Sequence, residues 1–403
     1  MFRSLIPRLR TYTISINKLK VISTSASNLN TIKQDDKSTQ QQQPQLPPRK
    51  DKKYGDSTPL QKILKMKDLI DFLVYGAFGV ALYYAYQRYK RWNEIKEELK
   101  AQQIDIKGFK QKFYQINGYF FPEIMVSVLN DIKEFQTRPS DVWVASFPKS
   151  GTTWLQEMIY LIENDCDFTK AKAKTLEERS PFIEYPSPGI KHINKMNSPR
   201  VIKTHLPFEF LPQDVDKKSK IVYAVRNPKD VCVSFYYFIR MVNDIGFSGT
   251  ISEMIELFID GKIPYGPWAK HVDSYASNSN VLLIHYEDMI HDPKRELKRL
   301  CDFLGKKLDE KQMDAIIEWC SFDNMKKNPS VNYEWNKTLG IFAKEGEFFR
   351  KGQVGDWLNH FKSKQSKRLD DVVHSQLKYK QKFDYGISEE DLNKIYSTAN
   401  DLK

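Results

Sequence analysis

One stretch limits what this chain can fold into more than any other: VWVASFPKSGTTWLQEMIYLI, residues 142–162. Residues 142–147 read as a short buried strand, and residues 154–162 carry apolar side chains at helical spacing. Between them lie Pro148, Lys149, Ser150, Gly151, Thr152 and Thr153. A strand, a tight loop of small residues and a helix start together make an anion site, because the unpaired N–H groups of the first turn and the helix dipole face the loop. Lys149 adds a mobile charge, Gly151 lets backbone approach a ligand, and three hydroxyls add donors. The competing reading is an ordinary strand-to-helix turn capped by Ser or Thr. A Walker A loop would place its lysine directly before the last Ser or Thr and its glycine earlier. Here the glycine follows the lysine, so the loop suits a phosphate without suiting an NTPase.

The 403 residues, 40% apolar and 13% aromatic, are ample for a large core. The net charge of +12 invites a nucleic-acid reading until the charges are placed. Residues 1–107 hold 20 Lys and Arg against 10 Asp and Glu, a net +10, which leaves only +2 for residues 108–403. A globally basic binding face on the folded part is therefore not expected, and no nucleic-acid partner is implied. Cys166, Cys232, Cys301 and Cys320 are widely spaced, with no C-x-x-C pair and no metal-ligand spacing, and read as buried free thiols.

Residues 1–34 are basic and acid-free, the composition of a mitochondrial targeting segment or of a plain basic tail. Residues 35–58, rich in Gln and Pro, read as linker. Residues 69–86, LIDFLVYGAFGVALYYAY, have one charge and basic flanks, which predicts a transmembrane helix tethering the chain; a buried or interfacial helix is the alternative. Residues 87–107 are expected to form a charged helical stalk, 108–385 the catalytic domain and 386–403 a C-terminal helix or tail. The expected location is membrane-anchored and mitochondrial, with cytoplasmic as the alternative.

From residue 108 onward, β-branched runs alternate with longer helical stretches, which predicts an α/β domain with a central parallel sheet flanked by helices. The expected strands are residues 142–147, 201–204, 220–225 and 281–285. Ligands of such sheets sit beyond the carboxyl ends of the strands. Those ends carry the loop at Lys149, then KTHLP with Lys203 and His205, then VRNPKDVCVSFYYF, then HYEDM. A lone His is more often structural, but His205 beside Lys203 and facing an anion loop is a candidate catalytic group.

FPKSGTTW, KTHLP, RNPKDVCVSFYYF, HYEDM with DPKRE, and FFRKGQVGDW, in this order and at these spacings, resemble the cytosolic sulfotransferase family over about residues 108–383. The resemblance implies a P-loop-like nucleotide-binding fold and 3′-phosphoadenosine 5′-phosphosulfate (PAPS) as cosubstrate, with no metal. It implies a 5′-phosphosulfate site at Lys149, Ser150, Gly151, Thr152 and Thr153, and a 3′-phosphate site at Arg226, Ser234, Arg350, Lys351 and Gly352. Adenine is expected to stack between Trp154 and Phe322 with Tyr286 at its edge. Cys320 stands where the family commonly has Thr, which puts that contact in doubt. Lys149 and Lys203 suit stabilisation of the leaving oxygen, and His205 suits the general base. A small apolar or phenolic acceptor, carrying a hydroxyl or amine, is expected against Phe182, Tyr236 and Tyr237. The family's dimerisation motif is not recognisable in LNHFKSKQSKRLDD, residues 358–371, so no dimer is assigned. Two other readings stand beside this one: an inactive membrane-anchored nucleotide-binding adaptor, and a P-loop nucleotide kinase.

Overall fold

A computed structural model describes residues 59–185, 189–379 and 383–400. The basic segment 1–34 and the linker 35–58 lie outside the described residues. The chain divides into two compact units, residues 1–76 and 77–403. The second unit carries both sheets and every residue of the site described below.

Its centre is a four-stranded parallel sheet of β4 (Val142–Ser146), β5 (Val201–Thr204), β6 (Lys220–Val225) and β7 (Val281–His285), in the order β5-β4-β6-β7. All five residues of β4 are buried, as expected for a strand covered on both faces. The strands fall where the sequence predicts them. Because the chain leaves β4 for β5 on one side and β6 enters on the other, the carboxyl end of β4 lies at a topological switch point, where open α/β sheets open a crevice.

Three helices matter for that crevice: α2 (Thr152–Glu163) follows β4, α3 (Pro228–Met241) follows β6 and α4 (Trp268–Ala276) precedes β7; a long helix, α1 (Pro59–Glu98), comes before them in the chain. Asn227 caps α3 by accepting from the Asp230 N–H, and Pro228 occupies its first turn, where a missing N–H costs nothing. A small antiparallel sheet, β1 (Gln102–Ile104), β2 (Phe113–Ile116) and β3 (Tyr119–Pro122), precedes the parallel one. Three- and four-residue strands are too short to announce themselves by alternation, and the sequence reading does not include them.

Two expectations about the N-terminal third change. The helix of the expected stalk ends at Glu98, and residues 102–104 pair as a strand with β2. Trp92, Ile95 and Leu99, one turn apart, lie on the main core, with Ile95 only 5% exposed, so this segment belongs to the folded domain. Within α1, the stretch 69–86 gains no support as a membrane span: among the described residues no helix is long and apolar enough to cross a membrane. Asp71, Gly76, Gly79 and the hydroxyls of Tyr75, Tyr83, Tyr84 and Tyr86 dilute its apolar run.

The start of the sheet is fastened by a buried ion pair. Arg200, just before β5, donates through Nε to Asp141 Oδ1 at 2.7 Å and through a terminal nitrogen to Asp141 Oδ2 at 2.5 Å, just before β4. Both side chains are wholly buried. Removing one partner strands a buried charge, so Asp141→Ala is expected to lower unfolding free energy by about 3–5 kcal/mol. Urea denaturation checks this; a loss below about 1 kcal/mol would show that the pair is dispensable.

Candidate active site

The anion loop takes the shape its small residues allow. Lys149 and Gly151 have positive φ, 73° and 99°. Gly151 is the N-cap of α2 and no side chain caps that helix, so the ordinary Ser- or Thr-capped turn is not what forms. A Cβ on Gly151 would sit 2.8 Å from the Tyr286 ring, which fixes glycine there on space as well as conformation. Thr152 and Thr153 open α2, and Thr152 Oγ1 lies 2.5 Å from Ser146 Oγ. Among the described residues, Ser150 Oγ is buried without a partner.

The cationic side chains converge on this loop. The Lys149 ammonium lies 4.1 Å from the centre of the Phe348 ring and 4.6 Å from that of Phe238. Burial, and then the charges of Lys203, Arg226 and Arg350, push its pKa down to about 7. Lys203, on β5, sits 4.6 Å over Phe182; burial lowers its pKa while Glu177 and Glu184 oppose that shift. Arg226, just past β6, donates to the carbonyls of Lys149 (3.3 Å) and Gln353 (3.0 Å) and lies 4.2 Å over the Tyr286 ring.

His205 follows β5 and is 9% exposed. Its Nδ1 is 2.8 Å from the Ser146 carbonyl oxygen. A carbonyl only accepts, so Nδ1 carries the hydrogen and Nε2 is left with the free lone pair. Burial, then the Lys203 charge, hold the imidazole well below its usual range, so it is neutral near pH 7. A second chain of hydrogen bonds fixes the loop: Phe147 N–H donates to Tyr223 Oη (3.3 Å), Tyr223 Oη donates to His271 Nδ1 (2.8 Å), and His271 Nε2 donates to the His205 carbonyl (2.8 Å). Glu184 accepts the His205 backbone N–H at 2.6 Å. Sequence reasoning missed Tyr223, His271 and Glu184, and no local motif marks them.

A third group lies past residue 348. Arg350 and Lys351 each reach Asp356, through opposite oxygens, at 2.5 Å. Burial opposes ionisation of that carboxyl, but hydrogen bonds from Lys351 and Arg350 outweigh it and hold the pKa at about 2. Gly352 has φ of 66°, and a Cβ there would run into the Phe322 ring at 2.2 Å. Asp230 in the first turn of α3 accepts the N–H groups of Gly355 (2.8 Å) and Trp357 (3.0 Å), tying this segment to the helix that carries Ser234.

The remaining expectations divide. Trp154 packs edge-on to Tyr286, ring centres 5.9 Å apart, while the ring partner of Phe322 is Phe349. Cys320 is 1% exposed in the core, with Glu157 and Arg179 as its charged neighbours. Phe182 stands 5.1 Å from His205, joined by Tyr265 at 5.8 Å, which the sequence did not single out. Tyr237 instead lies under Arg350 at 4.6 Å, and Tyr236 packs on Tyr237 and Phe247. The structure thus keeps Phe182 beside His205 and turns Tyr237 toward the Arg350 group.

Comparison with known proteins decides what this arrangement belongs to. A family model described as the sulfotransferase domain matches residues 139–381. The chain belongs to the sulfotransferase family. It is 40% identical over 278 residues to Homo sapiens sulfotransferase 1E1, covering 67% of this chain and 95% of that protein, and 35% identical over 278 residues to Homo sapiens sulfotransferase 1C2. Among solved structures it resembles retinol dehydratase in complex with androsterone and inactive cofactor PAP, with 26% identity and a TM-score of 0.63 over 73% of this chain and 96% of that one. It also resembles mouse sulfotransferase SULT7A1 complexed with PAP, with 31% identity and a TM-score of 0.55 over 66% and 94%. The protein is a PAPS-dependent enzyme that transfers a sulfuryl group to hydroxyl acceptors, and the kinase and adaptor readings are not favoured.

The buried carboxyl beside His205 has a measurable consequence. Burial raises the Glu184 pKa from 4.5 to about 8, against the opposing pull of its hydrogen bonds and Lys203. Between these values the folded protein holds a proton that the unfolded chain releases, so this group makes stability fall as pH rises. Glu184→Gln is expected to flatten the decline in stability between pH 4.5 and about 8, as read from urea midpoints across pH. A variant with the same slope as the unaltered protein would show that Glu184 is ionised in the fold.

Proposed function

We propose that the 5′-phosphosulfate of PAPS lies across Lys149, Ser150, Gly151, Thr152 and Thr153, and its 3′-phosphate against Arg226, Ser234, Arg350, Lys351 and Gly352. The observation that carries this reading is a set of unsatisfied donors on and beside the anion loop. Among the described residues, Ser150 Oγ, Trp154 Nε1 and, on the side chain that bonds the Lys149 carbonyl, Arg226 Nε are all buried, all able to donate, and all without a partner. A polyanion supplies acceptors for such groups, and burial makes leaving them unpaired costly.

PAPS supplies a sulfuryl group bonded through oxygen to a 5′-phosphate, which is a good leaving group once its charge is met. His205 Nε2 takes the proton from the acceptor hydroxyl as that oxygen bonds to sulfur. The sulfur–oxygen bond to the 5′-phosphate breaks, and its electron pair stays on the phosphate. Lys149 and Lys203 stabilise the negative charge that gathers on that oxygen. Trp154 and Phe322 offer rings to the adenine, with Tyr286 at its edge. Phe182 and Tyr265, flanking His205, favour a small apolar or phenolic hydroxyl compound as acceptor.

His205→Ala is expected to lower turnover by about 10²-fold or more while donor affinity stays near that of the unaltered protein, because a general base acts on the acceptor proton. Steady-state rates beside a donor titration check it, and near-normal turnover would remove His205 from the chemistry.

Donor binding is also expected to take up protons. With its pKa at about 7, Lys149 is largely neutral at pH 8, and an anion beside it favours the charged form. Calorimetric titration with 3′-phosphoadenosine 5′-phosphate (PAP) at about pH 8, in buffers of different ionisation enthalpy, should show net uptake that Lys149→Met abolishes. Net release, or uptake unchanged in the variant, would contradict the placement of Lys149.

A further inference from the structure

One buried cation has no part in the chemistry above. Lys229, beside Asp230 in the first turn of α3, is fully enclosed. Its ammonium donates to Asp370 Oδ2 at 2.9 Å and to Tyr396 Oη at 2.8 Å. It also lies 4.3 Å from the ring centres of both Trp357 and Tyr385. Asp370 lies on α5 (Ser363–Gln376) and Tyr396 on α6 (Glu389–Asn400), the last helix among the described residues. The Tyr396 hydroxyl bonds to Asp370 as well, and to Ser366 Oγ at 3.3 Å. Burying an ammonium is tolerable only where it is paired and hydrogen-bonded, so Tyr396 supplies part of what keeps Lys229 in place.

The same turn of α3 governs the segment that carries Arg350 and Lys351. Asp230 holds the Gly355 and Trp357 N–H groups, while Lys229 lies over the Trp357 ring. Trp357 Nε1 in turn donates to the Tyr385 carbonyl at 2.8 Å, and a Cβ on Gly386 would stand 2.9 Å from the Gly355 Cα. Tyr385 and Gly386 therefore close over the back of the 350–357 segment, and α6 reaches it through Tyr396 and Lys229. Tyr385, Gly386 and α6 lie beyond residue 381, where the match to the sulfotransferase domain ends.

We propose that α6 is a clasp on the 3′-phosphate site: through Tyr396, Lys229 and Trp357 it holds Arg350 and Lys351 in the position that receives the phosphate, and so sets donor affinity from outside the matched domain. The proposal rests on the assignment of Arg350 and Lys351 to the 3′-phosphate. Tyr396 is a positioning residue, acting on the nucleotide only through its neighbours.

The test uses the full chain and two probes, PAP and adenosine 5′-monophosphate, which lacks the 3′-phosphate. Tyr396→Ala is expected to weaken PAP by about fivefold or more and the monophosphate by less than about twofold, a coupling of ordinary size for contacts acting at a distance. Tyr396→Phe, which keeps the ring beside Lys229 but loses the hydroxyl, should fall between. Unchanged PAP affinity in Tyr396→Ala would overturn the clasp, as would equal weakening of both nucleotides, the mark of a merely loosened fold. If the unaltered chain does not prefer PAP to the monophosphate, the 3′-phosphate assignment itself fails and takes the clasp with it.

Discussion

Like charges crowded at the carboxyl end of β4 are the condition that the rest of this site is built around. Lys149, Lys203, Arg226 and Arg350 come close enough for the last three to depress the Lys149 pKa, after burial has already done so. Such a cluster is unfavourable without anions or other compensation. The protein supplies three kinds. Aromatic faces take the ammonium groups of Lys149 and Lys203, with Phe348, Phe238 and Phe182 within 4.1–4.6 Å. Asp356 holds Arg350 and Lys351. Backbone carbonyls of Lys149 and Gln353 accept from Arg226. The aromatic faces and backbone carbonyls carry no full negative charge, so on the proposed reading a polyanionic donor adds charge-assisted hydrogen bonds that they do not supply.

The parallel sheet makes this crowding possible. Strands that run the same way deliver their following loops to one edge, so Lys149, His205, Arg226 and Tyr286, from four strands, meet there although they span more than a third of the chain. The antiparallel sheet at residues 102–122 and the Arg200–Asp141 pair lie at other places in the fold. Arg200 and Asp141 precede their strands, at the opposite edge, where their energy goes to register and not to chemistry.

What the sequence disclosed follows from how far apart the interacting residues lie. The four parallel strands, the anion loop and His205 were legible because each is marked within a few residues: a β-branched run, a glycine after a lysine, a His directly after a strand. Glu184 and His271 were not, because they reach His205 from 21 and 66 residues away and look like any other Glu or His. The contact that Tyr237 makes was illegible for a related reason. Helical spacing on α3 says which residues share a face but not what that face meets, and only the fold brings Arg350, over a hundred positions later, against its ring. The apolar run at 69–86 shows the opposite case, a local signal that predicts a span and gains no support among the described residues, where glycines, an acid and tyrosines thin it.

The depressed pKa of His205 looks at first like a poor property for a base, since a weakly basic nitrogen has little driving force to take a proton. Its causes resolve this. Burial and the positive charges of Lys203 and Lys149 lower it, while the Ser146 carbonyl supports the protonated ring. The second of those causes is not fixed: an anionic donor between the two lysines cancels much of their field at the imidazole. On the proposed placement of the donor, His205 is neutral without it and becomes a stronger base when it is seated. The Nδ1–H bond to Ser146 meanwhile keeps Nε2 as the accepting atom throughout. The same carbonyl belongs to the last residue of β4, two positions before Pro148, so on the proposed reading the strand that presents the donor site also fixes which nitrogen of the base is free.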